Sequence, residues 1–312
     1  MIDNETATQA IHSIGAVERD TGLGKDTLRV WERRYGFPQP GRDANGERTY
    51  PLDQVQKLRM LKRLIDAGYR PGKIVQLRQE ELQGLIDTLV FPESSAGLQE
   101  RPDLQAYVAL CKSHDVEELR RALSQALIRM GLQAFVTEVI APLNCLVGDC
   151  WARGTFAVYE EHLYTEVVQN LLRSAIASIP QHAVHAGVRP TIVLTTLAQE
   201  QHGLGLLMAE AMFALEGARC ISLGLQTPVL DIVRAVEAQQ ADIVALSCST
   251  SMPPQQVIGG LQDVCASLPA TAELWVGGNN PALGRFRHRS LKTLTLADVP
   301  TALAAWHGQR GV

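Results

Sequence analysis

Glu200 and His202, two positions apart, offer the first chemistry in this sequence. They lie in the stretch TIVLTTLAQEQHGLGLLMAEAMFALEG, residues 191–217, where a β-branched apolar run breaks at a polar segment and resumes as an apolar segment of helix length. The order is strand, loop, helix, and ligands of open α/β sheets settle at the carboxyl ends of the strands. An imidazole whose second nitrogen is oriented by a carboxylate is a ligand-facing arrangement. A polar loop that merely contains His202 is the plain alternative.

The elements that would position this pair follow from the alternation around them. Apolar strands are expected at 191–196, 219–223, 243–247, 273–276 and 292–296, with helical stretches between, which implies a flavodoxin-like doubly wound five-stranded parallel sheet. Loops after successive strands then meet on one edge: Glu200–Gly205, Leu223–Pro228, Ser247–Ser251 and Gly277–Asn280. Their small residues leave room for a large ligand. A nucleotide phosphate would prefer a first loop of the G-x-G-x-x-G kind, and this one offers a histidine instead.

Upstream, helical periods at 104–112, 116–129, 132–150 and 156–179 predict a four-helix bundle. Asp115 is the expected cap of the second helix, with Glu118 at the capping-box position. Trp151, followed after nine residues by Glu161 and His162, would set an aromatic plate, a carboxylate and an imidazole at one end of the bundle. A bundle that only scaffolds or dimerises is the alternative.

The N-terminal part carries the basic surface. Residues 1–80 hold 14 Lys+Arg against 11 Asp+Glu, whereas the remaining residues hold 15 against 22. A short helix stopping at Thr21-Gly22 and a second beginning at Lys25 make a helix-turn-helix. In the second, Leu28 and Trp31 share an apolar face while Lys25, Arg29 and Arg33 recur on the other. Asn45-Gly46, between Arg42 and Arg48, suits a tight hairpin able to place arginines on phosphates. Further helices are expected over 53–67 and 71–89, and residues 91–97 read as a linker.

TLRVWERRYG followed by P-x-R-x-x-x-G-x-R-x-Y resembles the winged-helix domain of the MerR family of transcription regulators. That resemblance implies binding of operator DNA through Thr27, Arg29, Tyr35, Arg42, Arg48 and Tyr50. Trp31 reads as core, and Glu32 or Arg34 as an intramodule ion pair. Glu-x-His-x-x-Gly, a serine 42 residues after Gly205 and a Gly-Gly starting 30 residues after that serine resemble the base-off, His-on cobalamin-binding domain. There the histidine, here His202, is the lower cobalt ligand, and the nucleotide tail threads past Ser247, Gly277 and Gly278. Ser249 stands where that family usually has leucine.

The chain as a whole resembles the light-responsive, cobalamin-binding MerR regulators of the CarH type. The resemblance implies residues 1–90 as the DNA-binding domain, 91–102 as linker, 103–182 as a bundle capping the corrin and 189–312 as the cobalamin-binding domain. It implies Trp151, Glu161, His162, Glu200, His202, Gly205, Leu223, Gly224, Thr227, Ser247, Ser249, Gly277 and Gly278 as cofactor-binding residues. The cofactor expected is adenosylcobalamin, with methylcobalamin or another cobalamin as alternatives. The output expected is a dark-state repressor, not an enzyme, whose homo-oligomer, dimer or tetramer, changes when the Co–C bond is photolysed. The best understood members carry a second cobalt-ligating histidine after the Trp, where this chain has Ala152; His162 is the candidate substitute, and a light-independent cobalamin or tetrapyrrole sensor is the competing reading.

Composition agrees with these classes. The 312 residues are 46% hydrophobic and 20% charged, which suits a soluble multidomain chain, and no run of about 18 uninterrupted apolar residues occurs. The start MIDNETATQA lacks the pattern of a signal peptide, so a cytoplasmic protein with no membrane partner is expected. Six cysteines without a CxxC read as reduced, mostly structural thiols.

Overall fold

The structure is a computed structural model that describes residues 11–66, 68–88, 101–180 and 190–310. The chain divides into two compact units, Met1–Glu93 with Asp149–Thr155, and Ser94–Gly148 with Phe156–Val312. The linker expected at 91–102 falls mostly outside the described residues.

In the first unit, strand β1 (Ile11–Ser13) leads into helices α1 (Ile14–Thr21) and α2 (Lys25–Tyr35), the helix-turn-helix pair. Ser13 caps α1 by accepting the Ala16 N–H at 3.3 Å. The hairpin is present as β2 (Gly41–Arg42) and β3 (Arg48–Pro51), and β1 adds an unexpected third strand by pairing antiparallel with β3. Helix α3 (Leu52–Asp66) buries Val55, Leu58, Leu61 and Leu64 against Val17, Leu28, Trp31 and Tyr50. The helix expected over 71–89 is instead two, α4 (Pro71–Ile74) and α5 (Gln79–Asp87). The chain turns between them because Ile74 and Val75 are buried, and the Glu81 carboxylate accepts the Arg78 N–H at 2.8 Å to start α5 afresh.

The second unit opens with α6 (Pro102–Lys112) and α7 (Val116–Ala134), continues through a π-helical turn (Phe135–Ile140) into α8 (Ala141–Ala152), and closes the bundle with α9 (Val158–Ser178). Asp115 caps α7 as its spacing predicts, accepting the Glu118 N–H at 3.1 Å. The helical run Val116–Trp151 is apolar enough by length and composition to cross a membrane. Here Leu119, Leu123, Phe135, Val136 and Ile140 are buried inside the protein.

The sheet of the second unit consists of β4 (Thr191–Leu197), β5 (Arg219–Thr227), β6 (Ile243–Ser247), β7 (Glu273–Gly277) and β8 (Leu291–Thr293), all parallel, in the order β5-β4-β6-β7-β8. Its crossover helices are α10 (Leu204–Leu215), α11 (Val229–Gln239) and α12 (Pro254–Ser267), and α13 (Val299–Arg310) follows the last strand. Every residue of β4 and β6 is buried, as strands covered on both faces require. Val193, Leu274 and Val276 pack with Ile232, Val236, Val257 and Leu261 of α11 and α12, while Trp275 turns the other way to meet Phe213 of α10 at 6.0 Å. The bundle docks on the sheet domain through α9 against α10.

Candidate functional site

The carboxyl ends of β4, β6 and β7 carry three of the four loops expected to form a site; the fourth, expected over 223–228, is instead strand through Thr227, because β5 stays paired with β4 as far as Leu197. Glu200 is 1% exposed at its side chain and His202 is 57% exposed, so the carboxylate is anchored in the protein and the ring faces out. Glu200 Oε1 accepts the His202 backbone N–H at 2.9 Å and lies 2.8 Å from Nδ1. Its other oxygen accepts the Ser249 N–H at 2.7 Å. Burial pushes the Glu200 carboxyl up, but hydrogen bonds from His202 and Ser249 outweigh it and hold the group below its usual range. The Glu200 hydrogen bond raises the His202 pKa against the opposing effect of burial, and the charge of Glu161 on α9 adds to the rise. Nδ1 is therefore occupied by Glu200, and Nε2 makes no hydrogen bond among the described residues.

The floor of the site is cut to let something long pass. A Cβ at Gly205 would lie 2.7 Å from Ser247 Oγ, and one at Gly278, whose φ is +114°, would collide with the Cys248 carbonyl oxygen. At Gly278 two backbones approach too closely for any larger residue, whereas at Gly205 the Ser247 hydroxyl takes the room of a side chain. Gly277 lies beside Leu294, and Leu223 and Gly224 are half-buried within β5 with Leu225 exposed next to them. Thr227 Oγ1 pairs with Thr195 Oγ1 at 2.6 Å, and Thr196 Oγ1 accepts the Gln226 N–H at 2.9 Å, which ties the last residues of β5 to β4. An outward imidazole, a glycine-lined slot and an apolar rim fit a corrin with a threaded tail. His202 is the one ligand that this floor would give the metal, and the macrocycle brings the others.

Glu161 is held by the Thr165 hydroxyl at 2.6 Å, and His162 lies 3.7 Å from it with 70% of its side chain exposed. Both belong to the unit that holds His202, and the electrostatic reach of Glu161 to His202 puts the carboxylate on that side of the bundle. Trp151 lies in the segment that groups with the N-terminal unit, where the Arg63 guanidinium stands 5.5 Å from its ring centroid.

Asn280 is a site residue that the sequence reading passed over. It is buried, its amide donates to the carbonyls of Ser249 at 2.6 Å and Met252 at 2.9 Å, and its oxygen accepts the Ala282 N–H at 3.0 Å. The loop bearing Ser249 is thus clamped from β7. A pair of amides, Asn279 and Asn280, after the double glycine was its only sequence signal.

In the DNA-binding unit, Arg29 is exposed and paired with Asp26 at 2.9 Å, Thr27 and Tyr35 are half-buried on α2, and exposed Arg42 donates to the Gly46 carbonyl at 2.7 Å across the wing tip. Arg48 is tied to Glu32 at 2.8 Å, which raises its pKa and identifies Glu32 as the ion-pairing residue. Tyr50 corrects an expectation. It is fully buried in the module core, so it supports the wing from beneath and has no surface to offer DNA. Alternation along β3 turns it inward. Trp31 is core, as expected.

Known proteins match along the same divisions. Residues 12–81 match the MerR HTH regulatory protein family, and residues 104–175 and 190–292 each match a B12 binding domain family. The HTH-type transcriptional repressor CarH of Myxococcus xanthus is 32% identical over 260 residues, 82% of this chain and 85% of that protein. The repressor CarA of the same organism is 28% identical over 271 residues, 85% of each. In fold, the monomethylamine corrinoid protein of Methanosarcina barkeri superposes with a TM-score of 0.51 at 13% identity, covering 64% of this chain and 96% of that one. A DNA-reading module and two cobalamin-binding modules thus follow one another in the order of a relative aligned over 82% of the sequence, and the chain belongs to the CarH-type family of cobalamin-binding MerR transcription regulators.

Proposed function

We propose that this regulator senses light through adenosylcobalamin and represses its operator in the dark as a homo-oligomer, a dimer or tetramer, that disassembles on illumination. Residues 1–90 bind DNA, 91–102 connect, and 103–182 and 189–312 close on the two faces of the corrin. When bound, adenosylcobalamin supplies a visible-light-labile bond between cobalt and carbon, which is the cofactor's own chemistry. His202 would offer Nε2 to the cobalt of a bound cobalamin because Glu200 holds Nδ1. Ser247, Gly277 and Gly278 would keep a slot open for the tail, and Glu161 and His162 would meet the cofactor from the bundle. The protein acts with its DNA in the cytoplasm and turns over no substrate.

The observation that carries this reading is the buried Glu200 carboxylate aiming an exposed imidazole outward. For light to act, cofactor binding must differ between the oligomeric states, since a ligand of equal affinity for both shifts nothing. The test is gel filtration and operator binding of the adenosylcobalamin-loaded protein in darkness and after green light, with the absorption spectrum recorded before and after. Identical oligomer and DNA binding in both conditions rejects the light switch. Ala152 favours a second reading, a regulator that senses methylcobalamin, another cobalamin or another tetrapyrrole without light. Unchanged behaviour under light with retained dependence on one such cofactor would select it.

A further inference from the structure

The acidic C-terminal half conceals a cationic loop. Residues 191–312 hold seven Lys+Arg against nine Asp+Glu, and four of the seven, Arg285, Arg287, Arg289 and Lys292, fall within eight positions together with His288. No Asp or Glu occurs between Glu273 and Asp298. Arg285, Arg287, His288 and Arg289 are exposed, and none of them makes an ion pair among the described residues. The loop is built to hold them there. Ala282 and Leu283 are buried in the sheet core, Phe286 and Leu291 pack against it, and the Arg287 guanidinium donates to the carbonyls of Leu283 at 3.1 Å and Phe286 at 3.0 Å. A cleft of about 550 Å³ opens beside Phe286, Arg287 and Arg289.

Register separates this loop from the cofactor site. Leu291 pairs with Leu274 at the start of β7, whereas the site loops leave the other end of the strands. The arginines therefore serve something other than the corrin.

We propose that residues 285–292 form a second DNA-contacting surface that binds the phosphate backbone without reading sequence. Exposed guanidinium groups suit phosphate through their fork geometry. The patch has no exposed apolar centre of the kind a protein partner would anchor on. The winged helix on the same chain also holds DNA, so even a weak second contact gains from the covalent tether.

The test uses the full chain loaded with adenosylcobalamin in darkness and a 40-base-pair duplex of random sequence, followed by anisotropy across salt concentrations. Arg285 and Arg289 are exposed and their side chains make no hydrogen bonds among the described residues, so R285A/R289A should keep the fold and the cobalamin spectrum. Each lost phosphate contact lowers the salt slope by about 0.9, so the double variant should lower it by roughly two and weaken binding about tenfold at low salt. R285K/R289K should restore most of the slope. In the unaltered chain, DNA should protect Arg285 and Arg289 from phenylglyoxal. An unchanged slope with no protection overturns the proposal, as does a loss of self-association with DNA binding intact, which would assign the loop to an acidic face of a second copy.

Discussion

Glu200 grips His202 at two points, the backbone N–H at 2.9 Å and ring Nδ1 at 2.8 Å, from a position that is itself 1% exposed. A ring held in this way presents Nε2 in one orientation. Replacing Glu200 by Gln keeps an acceptor but removes the charge, and cobalamin affinity should fall about 10- to 100-fold, the usual cost of losing the partner of a metal-ligating histidine. His202→Ala should abolish the His-on absorption spectrum altogether. Titration of each variant with adenosylcobalamin, followed optically, decides; an unaltered His202→Ala spectrum would return the loop to a polar connection.

Asn280 acts on the same ring at one remove. Asn280→Ala leaves the carbonyls of Ser249 and Met252 and the Ala282 N–H without the amide that pairs them, at a cost of about 1–3 kcal/mol for an unmet buried group. With Ser249 released, Glu200 loses its fixed donor. The variant should bind cobalamin more weakly and, at saturation, show a smaller His-on fraction, whereas a purely structural Asn280 would lower the unfolding midpoint and leave the saturated spectrum as it was.

Gly278→Ala places a methyl against the Cys248 carbonyl oxygen at a φ of +114°. Tail threading should fail, so affinity for complete cobalamin should fall far more than affinity for cobinamide, which lacks the tail. Calorimetry with both ligands measures the difference, and equal losses would mean that the slot lies elsewhere.

On the DNA side, Tyr50 and Arg42 should part company. The Tyr50 hydroxyl is buried without a hydrogen-bond partner in the structure, so Tyr50→Phe removes an unmet polar group and should raise stability, by up to about 1–3 kcal/mol, while leaving operator affinity intact. Arg42→Ala should weaken binding uniformly across sequences and lower the salt slope by about one. Tight, unaltered binding by Arg42→Ala would remove the wing tip from the contact surface.

The thiols of Cys220 and Cys248 are each pushed up to about 12 by burial, with Glu210 and Glu200 adding to the respective shifts. In the unfolded chain they ionise near the ordinary value of 9.0. Between these values the native state holds more protons than the unfolded one, so their contribution to stability is complete below about 9 and is lost as pH rises through that window. Denaturant midpoints measured at pH 8 and pH 10.5 should fall less in Cys220→Ala/Cys248→Ala than in the parent chain. Iodoacetamide at pH 8 should spare both residues until the protein unfolds.

Local patterns carried much of this structure. The β-branched run at 191–196, the Asp115 cap and the Asn45-Gly46 turn each report a short-range preference that the fold keeps. Tyr50 shows where such reading stops, because one residue of register along β3 decides between wing surface and core. The clamp of Asn280 on a loop 28 to 31 positions earlier is visible only once β6 and β7 pair. Arg63, standing over Trp151, is likewise a partner that no spacing announces. Net charge concealed the arginines of the last crossover, since a balance taken over most of the chain averages a cationic loop into an acidic domain.

The His202 loop hangs from a strand buried along all seven of its residues and flanked by parallel partners on both sides. Such a strand belongs to the last part of a domain to open. Small metal-dependent domains gain their folding free energy from the ion, but here the frame stands on apolar burial that the cofactor does not supply. A cofactor arriving at or leaving that edge would then meet a persistent scaffold, with no refolding needed in either direction.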